Sequence, residues 1–317
     1  MHWQAVYSAD MSPQSDSTRP PAAPGQSAAH MHGRPDGSPC IYVVTACRNS
    51  EVTISRTIQS VLRERGLGRY IVVDGASEDS TVSVIQDHAA SSEGMLVLIS
   101  EPDSGIYDAM NKGIRRCLAE ARPDDLVAMI NADDEYCPRV FTDVASMADA
   151  LPEVDVFYGD IAMLDEDGRD TGETRRSVDT LSRESASDGM PVAHIAMFVR
   201  SRAYDRLGLY DTGYAIAADY EFVLRMISAG VVTRHVAQVI ARSRYGGIST
   251  TDEIRSLKEA IRARIAHGSS PAFEWLRFYK RRLFARAFSA AKWLPGAAAM
   301  QERYGASSRR RKRAPGA

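Results

Sequence analysis

Four short apolar runs dominate the hydrophobic pattern between residues 41 and 130. Each run is apolar throughout instead of alternating, which is typical of strands buried on both faces of a parallel sheet. Helical periodicities follow the first three runs and predict helices that cover the sheet. The pattern therefore predicts an α/β fold with a mostly parallel sheet and helices on both faces. The predicted strands are 41–45, 70–74, 95–100 and 126–130, and the predicted helices start near Ile54, Val82 and Ile106.

Beyond residue 150 the pattern is less regular. The residues over 170–190 are polar, which predicts a long loop. Asp219 opens a helical pattern that continues through Phe222 and Ile227. The remaining predicted elements are strands over 154–158, 161–164, 194–199 and 231–240 and a short helix near Tyr204.

Composition divides the chain into four parts. Residues 1–39 are rich in Ser, Pro, Ala, Gly and His without apolar periodicity, which predicts a disordered leader. Residues 40–250 carry the α/β pattern. Residues 251–300 are predicted to form C-terminal helices, and residues 301–317 are a basic tail.

The net charge of the 317 residues is only -2, which gives no reason to expect a nucleic-acid partner. The four cysteines match neither a zinc site nor a disulfide framework, so we expect reduced thiols and a cytoplasmic location. No apolar run reaches the roughly 18 residues that a membrane span needs. Any membrane association should therefore be peripheral, on the inner face of the cytoplasmic membrane.

Polar side chains gather at the carboxyl ends of the predicted strands, the edge where parallel sheets bind ligands. The segment after the fourth strand, Asn131-Ala-Asp133-Asp134, offers closely spaced oxygen atoms. Mg²⁺ and Mn²⁺ prefer oxygen ligands and are often shared with substrate phosphates, which makes Asp133 the best candidate metal ligand. A turn that simply ends the strand would use the same residue types, so both interpretations stay open here.

Three other strand or helix ends carry candidate residues. Asp74, after the second strand, could accept a hydrogen bond from a nucleobase or a ribose, whereas Asp79 could cap the next helix. Asp108, Asn111 and Lys112 fall at helical spacing and are expected on one face, beside Asp74 and Asp133. Asp219 opens a helix and could be either its N-cap or a general base, and the pattern does not decide between them.

Eight stretches in matching order resemble the family-2 glycosyltransferases with a GT-A fold, a Rossmann-like α/β fold, in particular the bacterial enzymes of exopolysaccharide and O-antigen assembly. The resemblance covers about residues 40–250. The stretches are Val43-Val-Thr-Ala-Cys-Arg-Asn-Ser50, Val73-Asp-Gly-Ala-Ser-Glu-Asp-Ser-Thr81, Ser100-Glu-Pro-Asp-Ser-Gly-Ile-Tyr-Asp-Ala-Met-Asn-Lys-Gly113, Asn131-Ala-Asp-Asp134, Tyr158-Gly-Asp160, Leu207-Gly-Leu-Tyr-Asp211, Ile216-Ala-Ala-Asp-Tyr-Glu-Phe222 and Gly246-Gly-Ile-Ser249.

The resemblance implies inverting transfer of a sugar from a nucleotide-diphosphate sugar to a glycan or polyprenyl-linked acceptor. Asp219 matches the catalytic base, and Asp133 matches the ligand of the Mg²⁺ or Mn²⁺ that bridges the donor diphosphate. His194 and Asp134 fall on the acceptor or phosphate side. The residues expected to bind the donor nucleotide are Thr45, Asp74, Asp103, Asn131 and Asp133.

Three positions depart from the family pattern. Asn131 replaces the usual first Asp of the D-x-D motif, Arg48 stands where an aromatic residue is common, and Ala218 precedes Asp219 where many relatives have Glu. None of these departures removes the expected metal ligand or the expected base.

The segment over 271–294 interleaves aromatic and basic residues. A helix of this composition suits the surface of an anionic membrane, but a helix packed on the main domain with its basic residues in solvent would also fit. The basic tail after Ser308 favours the membrane interpretation.

Other protein classes fit the sequence less well. A receiver domain would be far shorter, a dinucleotide-dependent oxidoreductase would need a G-x-G-x-x-G motif after the first strand, and a nucleotidylyltransferase would need a Gly- and Arg-rich loop there. The remaining alternative is a catalytically silent relative that acts as a nucleotide-sugar-binding or assembly subunit. The presence of both Asp133 and Asp219 favours the enzyme.

Overall fold

The computed structural model of the protein describes residues 37–165, 167–244 and 252–291, with the backbone alone for residues 281, 282 and 284–291. The predicted leader, apart from its last three residues, the basic tail and the Gly246-Gly-Ile-Ser249 stretch lie outside the described residues.

The described residues form one sheet of nine strands. The strands are β1 (Ile41–Cys47), β2 (Leu67–Asp74), β3 (Leu96–Ser100), β4 (Leu126–Met129), β5 (Glu135–Tyr136), β6 (Val156–Leu164), β7 (Asp170–Arg175), β8 (Met197–Arg200) and β9 (Thr233–Arg244). Their order across the sheet is β3-β2-β1-β4-β8-β6-β9-β5, and β7 pairs with β6 off this path.

Helices cover both faces of this sheet. They are α1 (Ile54–Leu62), α2 (Thr81–Ser91), α3 (Ile106–Leu118), α4 (Val140–Ala150), α5 (Ala203–Leu207), α6 (Ala218–Ser228), α7 (Glu253–Ala266) and α8 (Pro271–Ala291), with a 3-10 turn over His194–Ala196.

Strands β3, β2, β1 and β4 lie side by side and form the parallel half of the sheet. β1 pairs in parallel with both β2 and β4, and β2 pairs in parallel with β3. β8 runs antiparallel to β4 and β6, whereas β9 is parallel to β6. Every residue of β1 and β4 is buried, as their continuous apolar runs predicted. The predicted α/β fold with a mostly parallel sheet is confirmed.

Alternate residues of β1 belong to two separate apolar cores, because successive side chains of a strand point to opposite faces. Val44 packs in the core beneath α3, α5 and α6, and Val43 packs in the core beneath α1 and α4. Helix α3 lies unusually close to β1 at Gly113, where a Cβ atom would collide with the side chain of Val44. This close approach fixes α3, and the residues at its start, against the sheet.

Three predicted elements differ from the structure. The two strands predicted over 154–164 are one strand, β6, which continues through Gly159 with shifts of register. Part of the loop predicted over 170–190 is strand β7, whose six residues are all exposed and which pairs with β6 alone. The strand predicted from His194 begins only at Met197, after the 3-10 turn.

The two C-terminal helices pack together beside α6. Helix α7 packs on α6, and α8 is joined to α7 by a buried ion pair, with Arg264 Nε 2.9 Å from Glu274 Oε2. The outer side of α8 exposes five large apolar side chains, those of Phe273, Trp275, Leu276, Tyr279 and Leu283. None of the described helices is both long enough and apolar enough to cross a membrane.

Candidate active site

The carboxyl ends of β1, β2 and β3 bring Asp74 and Asp103 to one corner of the sheet. Asp74 pairs in register with Cys47 on one side and with Ser100 on the other. Asp103 follows β3, and its carboxylate lies directly against the backbone of Gly75, where a Cβ atom would overlap it. The glycine after Asp74 therefore leaves room for the Asp103 carboxylate at this corner.

Asp74 is fully buried and its carboxylate is held by two serines. Its Oδ2 accepts hydrogen bonds from the Ser77 backbone N–H at 3.1 Å and from the Ser100 hydroxyl at 2.8 Å, and the Ser77 hydroxyl donates to Oδ1. These bonds offset the cost of burying a charged group. The sequence prediction missed both serines, although each lies within a quoted stretch.

Thr45 lies beneath this corner on β1. Its side chain is fully buried, and its hydroxyl lies 2.9 Å from the hydroxyl of Tyr70. Two residues further on, burial and, to a smaller extent, nearby carboxylates raise the pKa of the Cys47 thiol to about 12. The corner is thus strongly negative and suits ligands that present N–H, hydroxyl or cationic groups. The carboxylates near the thiol are those of Asp74, Asp79 and Asp103.

The turn after β4 is closed by Asn131 and Asp134. Asn131 Nδ2 donates to Asp134 Oδ2 at 2.8 Å, and the Asp134 backbone N–H donates to the Asn131 carbonyl at 3.2 Å. Burial, and then the charge of Asp133, raise the pKa of Asp134 to about 6, against hydrogen bonds from Ser243 and Asn131 that lower it. Asp134 is therefore committed to the turn, and Asp133 is left facing outward.

Asp133 fits a metal ion bound mainly by its substrate. It is partly exposed, and within the described part of the chain no side chain donates a hydrogen bond to it. The same residues contain no cluster of three or more His, Cys, Asp or Glu side chains that could enclose a metal. Mg²⁺ and Mn²⁺ are commonly held by one or two carboxylates, with phosphates and water supplying the other oxygens. The donor set present here matches that arrangement.

His194 connects this turn to the start of α6. Its Nε2 lies 3.1 Å from Asn131 Oδ1, and its Nδ1 lies 3.4 Å from Asp219 Oδ2. Burial opposes the imidazolium, but the hydrogen bond with Asp219 and the charge of that carboxylate outweigh it and raise the pKa of His194. Both ring nitrogens face acceptor oxygens, and only the protonated ring donates to both.

Asp219 lies in the first turn of α6, which begins at Ala218, so it is not the N-cap. Its Oδ1 accepts hydrogen bonds from the Tyr107 hydroxyl at 3.1 Å and from the Tyr220 N–H at 2.8 Å. Burial opposes its charge, but the hydrogen bond and charge of His194, and then the two other donors, lower the pKa of Asp219. The side chain is 20% exposed, so an ionised carboxylate reaches the surface of the site.

Asp108 and Lys112 share one face of α3, as their spacing predicted, whereas Asn111 makes a separate, buried contact. Lys112 Nζ bonds Glu101 at 2.9 Å and, with Asp108, holds the loop after β3. Asn111 is buried and exchanges two hydrogen bonds with the backbone of Tyr210. Helical spacing places residues near one another, but here the side chains find partners in different loops.

Tyr107 is a site residue that the sequence prediction missed. Its hydroxyl contacts the Ile216 carbonyl at 2.6 Å as well as Asp219, and its ring is buried under α6. Tyr107 lies between Gly105 and Asp108 in the Ser100–Gly113 stretch that resembles the family. An aromatic hydroxyl within that motif was the feature from which its role could have been predicted.

Comparisons with known proteins identify the family of the chain. The sequence profile of glycosyl transferase family 2 matches residues 42–207, more than half of the chain. A PGL/p-HBAD biosynthesis glycosyltransferase of Mycobacterium tuberculosis is 26% identical over 218 residues, which cover 68% of this chain and 80% of that protein. The succinoglycan biosynthesis protein ExoU of Rhizobium meliloti is 23% identical over 269 residues, covering 77% of this chain and 75% of ExoU.

Solved structures identify the fold. The mannosyltransferase PcManGT of Pyrobaculum calidifontis, solved in complex with GDP-Man and Mn²⁺, superimposes with a TM-score of 0.56 at 19% identity, covering 86% of this chain and 81% of that one. This likeness confirms the GT-A fold that the sequence resemblance implied. The match of the family profile to more than half of the chain goes further: the protein belongs to glycosyl transferase family 2.

Proposed function

We propose that the protein transfers a sugar, as a hexosyltransferase, from a nucleotide-diphosphate sugar to a hydroxyl of a glycan or lipid-linked acceptor, with inversion at the anomeric carbon. The observation that carries this proposal is the hydrogen-bonded series Asp219, His194, Asn131 and Asp134. It joins an ionised, partly exposed carboxylate to the turn that presents Asp133. A base and a diphosphate site are thus held by one network.

The donor nucleotide is assigned to the corner formed by Asp74 and Asp103, with Thr45 beneath it. Asn131 and Asp133 then face the diphosphate. Asp133 is the residue that would hold Mg²⁺ or Mn²⁺, and such an ion, when bound, neutralises charge on the leaving group. The solved structure in complex with GDP-Man and Mn²⁺ supports a nucleotide-sugar donor and a divalent cation as ligands.

Asp219 is assigned as the general base. Its carboxylate accepts the proton of the acceptor hydroxyl while that oxygen forms a bond to the anomeric carbon. The bond from that carbon to the diphosphate oxygen breaks, and the nucleoside diphosphate leaves with the bonding electrons. A single displacement of this kind inverts the configuration. His194, with Asp134, lies on the acceptor and phosphate side and keeps the Asp219 carboxylate oriented.

The acceptor is assigned to a membrane surface. We assign the chemistry to residues 40–250 and membrane contact to residues 251–300, on the inner face of the cytoplasmic membrane. Aromatic and basic side chains on one helix favour the interface of an anionic bilayer. A polyprenyl-linked acceptor for a bacterial surface polysaccharide would meet the site there, and the relative named as a succinoglycan biosynthesis protein supports a role in polysaccharide synthesis. The exposed residues of α8 that support this are Phe273, Leu276, Tyr279, Lys280 and Leu283.

The test is release of nucleoside diphosphate from UDP-, GDP- and dTDP-sugars with Mn²⁺ and polyprenyl-linked sugar in vesicles. Asp219→Asn should lower kcat by about 10²- to 10⁴-fold and leave the donor Kd unchanged, because it removes the proton acceptor and no group assigned to the donor. Asp205→Asn, an exposed carboxylate on α5, is the matched control and should keep full activity. A wild-type protein that binds donor but never releases product would instead be the catalytically silent subunit.

A further inference from the structure

The start of α6 lacks a cap of its own. Its N-cap residue is Ala217, whose side chain offers no hydrogen-bond acceptor. The N–H groups at the beginning of a helix need acceptors, and a buried helix start without them is unfavourable. Because Asp219 lies two residues after Ala217, whatever satisfies these groups also sets the position of the assigned base.

A buried carboxylate from α7 accepts the N–H of the N-cap residue and those of the two residues before it. Glu259 Oε2 accepts the backbone N–H groups of Ile216 at 2.8 Å and Ala217 at 3.1 Å, and Oε1 accepts that of Ala215 at 3.2 Å. Burial opposes the charge of Glu259, but these three donors outweigh it and hold its pKa below the usual range. Arg255, one turn earlier on α7, donates to Oε1 at 3.3 Å.

The same short segment is held from the opposite side by Tyr107. Its hydroxyl donates to the Ile216 carbonyl at 2.6 Å and lies 3.1 Å from Asp219 Oδ1. The backbone over 215–217 is therefore bonded through its N–H groups to α7 and through a carbonyl to α3. Neither contact leaves the segment free to shift without breaking a buried hydrogen bond.

Helix α7 also holds the residues just after Asp219. Arg264 Nη1 donates to the Tyr220 hydroxyl at 3.3 Å, and His267 Nε2 lies 3.0 Å from Glu221 Oε1. The contacts of α7 thus bracket Asp219 on both sides along the chain. This helix lies beyond residues 42–207, the part of the chain that matches the family profile.

We propose that Glu259 is a positioning residue for the transfer reaction, which holds the start of α6 so that Asp219 meets the acceptor hydroxyl. Glu259 touches no substrate in this proposal and acts only through the backbone over 215–217. The proposal rests on the function assigned to Asp219 above. A displacement of about 1 Å at a reacting group can cost 10²-fold in rate, so loss of this support should appear in kcat.

The test compares Glu259→Gln with Glu64→Gln. Gln keeps the size of the side chain but loses the charge and one acceptor oxygen. Glu64 is the matched control because it is also buried and accepts two backbone N–H groups, those of Arg139 and Phe141 at the start of α4. We expect Glu259→Gln to lower kcat at least tenfold with the donor KM unchanged, and Glu64→Gln to lower kcat less than twofold.

Hydrogen–deuterium exchange separates this proposal from the assigned activity. The amides over 215–217 should exchange faster in Glu259→Gln and at the wild-type rate in Glu64→Gln, whether or not an acceptor has been found. If the wild type shows no transfer, the proposed function fails, and faster exchange would still support the positioning role. If Glu259→Gln does not fold, Arg255→Gln replaces it and should give a smaller fall in kcat with the same local exchange. Unchanged exchange, or equal kcat losses in the Glu259 and Glu64 variants, would overturn the proposal.

Discussion

At the scale of single residues, Asp219 and His194 form one titrating unit. The pKa of Asp219 is lowered and the pKa of His194 is raised, each chiefly by the other once burial is overcome. At a pH between the pKa of Asp219 and the pKa of His194, the pair consists of a carboxylate beside an imidazolium. A carboxylate held by a cation is a weak proton acceptor, and it becomes a stronger one when the imidazolium loses its proton.

The transfer rate should therefore rise with pH through the pKa of His194, which lies above its ordinary value of 6.5. His194→Gln keeps a neutral polar group between Asp219 and Asn131 but removes the titration. We expect kcat of this variant to be flat above about pH 6.5, where the wild type rises. The measurement is kcat against pH at saturating donor and acceptor. An identical rising limb in both proteins would show that another group titrates.

A substitution at Gly75 tests whether the corner formed by Asp74 and Asp103 binds the donor nucleotide. In Gly75→Ala the new Cβ would overlap the Asp103 carboxylate and separate it from Asp74. We expect donor affinity, measured by calorimetry, to fall at least about tenfold, which corresponds to about 1.4 kcal/mol. The control is Ala76→Gly at the next position, where φ is 57° and glycine fits without strain. Equal donor affinity in Gly75→Ala and wild type would remove Asp103 from the nucleotide site.

At the scale of elements, a buried arginine joins β8 to the end of α4. Arg200 is 1% exposed and donates to the carbonyls of Val154 at 2.6 Å, Asp124 at 2.8 Å and Leu151 at 3.1 Å, and also to Ala148 at 2.5 Å. The last carbonyls of a helix have no partner within it. The guanidinium therefore satisfies several backbone acceptors that would otherwise be buried without one.

Arg200→Met should lower the free energy of unfolding by about 3 kcal/mol or more, because several buried carbonyls lose their donors. Arg206→Met is the control: Arg206 pairs with Asp155 with 55% of its side chain exposed and should cost less than about 1 kcal/mol. Urea denaturation of both variants measures the difference. Similar losses in the two variants would mean that the Arg200 hydrogen bonds add little.

The elements that could be predicted from sequence are those whose own pattern determines them. β1 and β4 are continuous apolar runs, and their burial follows from composition. β7 has no apolar side chain and is a strand only because β6 offers a partner, so local pattern could not reveal it. The family motifs predicted Asp74, Asp133 and Asp219 as site residues.

Partners distant in sequence could not be predicted in the same way. From the sequence alone, Arg200 would be predicted to lie on the surface, because charged side chains are seldom fully buried. Only the packed fold shows the carbonyl groups that surround it. From the sequence alone, Glu259 would be predicted to be an ordinary polar residue of a helix. Its proposed role depends on backbone N–H groups that lie more than 40 residues earlier in the chain. Such contacts are set by tertiary packing, which carries no local periodicity.

At the scale of the whole molecule, α8 has an inner and an outer side. Its inner side packs against the rest of the protein, because Arg277 donates hydrogen bonds to Ser187 and Asp188, and Glu274 accepts one from Arg264 on α7. Its outer side exposes Leu276 and its apolar neighbours. A membrane bound to the outer side would therefore lie close to the elements that hold Asp219.

Cosedimentation with vesicles tests this orientation. The wild type should bind vesicles rich in phosphatidylglycerol more strongly than pure phosphatidylcholine, and added salt should weaken binding. Leu276→Glu should reduce binding severalfold, because it puts a charge into the apolar side of the helix. Val232→Glu, at an exposed apolar residue before β9, should have no effect. Equal binding by both variants would place the membrane contact elsewhere.

The measurement that tests the central claim most directly is a thermal-shift screen of UDP-, GDP- and dTDP-sugars, each with and without Mn²⁺. Ligands that bind the native state raise its apparent stability. Wild type and Asp149→Ala, which removes an exposed carboxylate on α4, should show a rise in Tm for one donor class that depends on Mn²⁺, and Asp133→Ala should lose it. A donor-induced rise that persists in Asp133→Ala, or the absence of any rise in folded wild type, would contradict a metal-assisted nucleotide-sugar site at the end of β4.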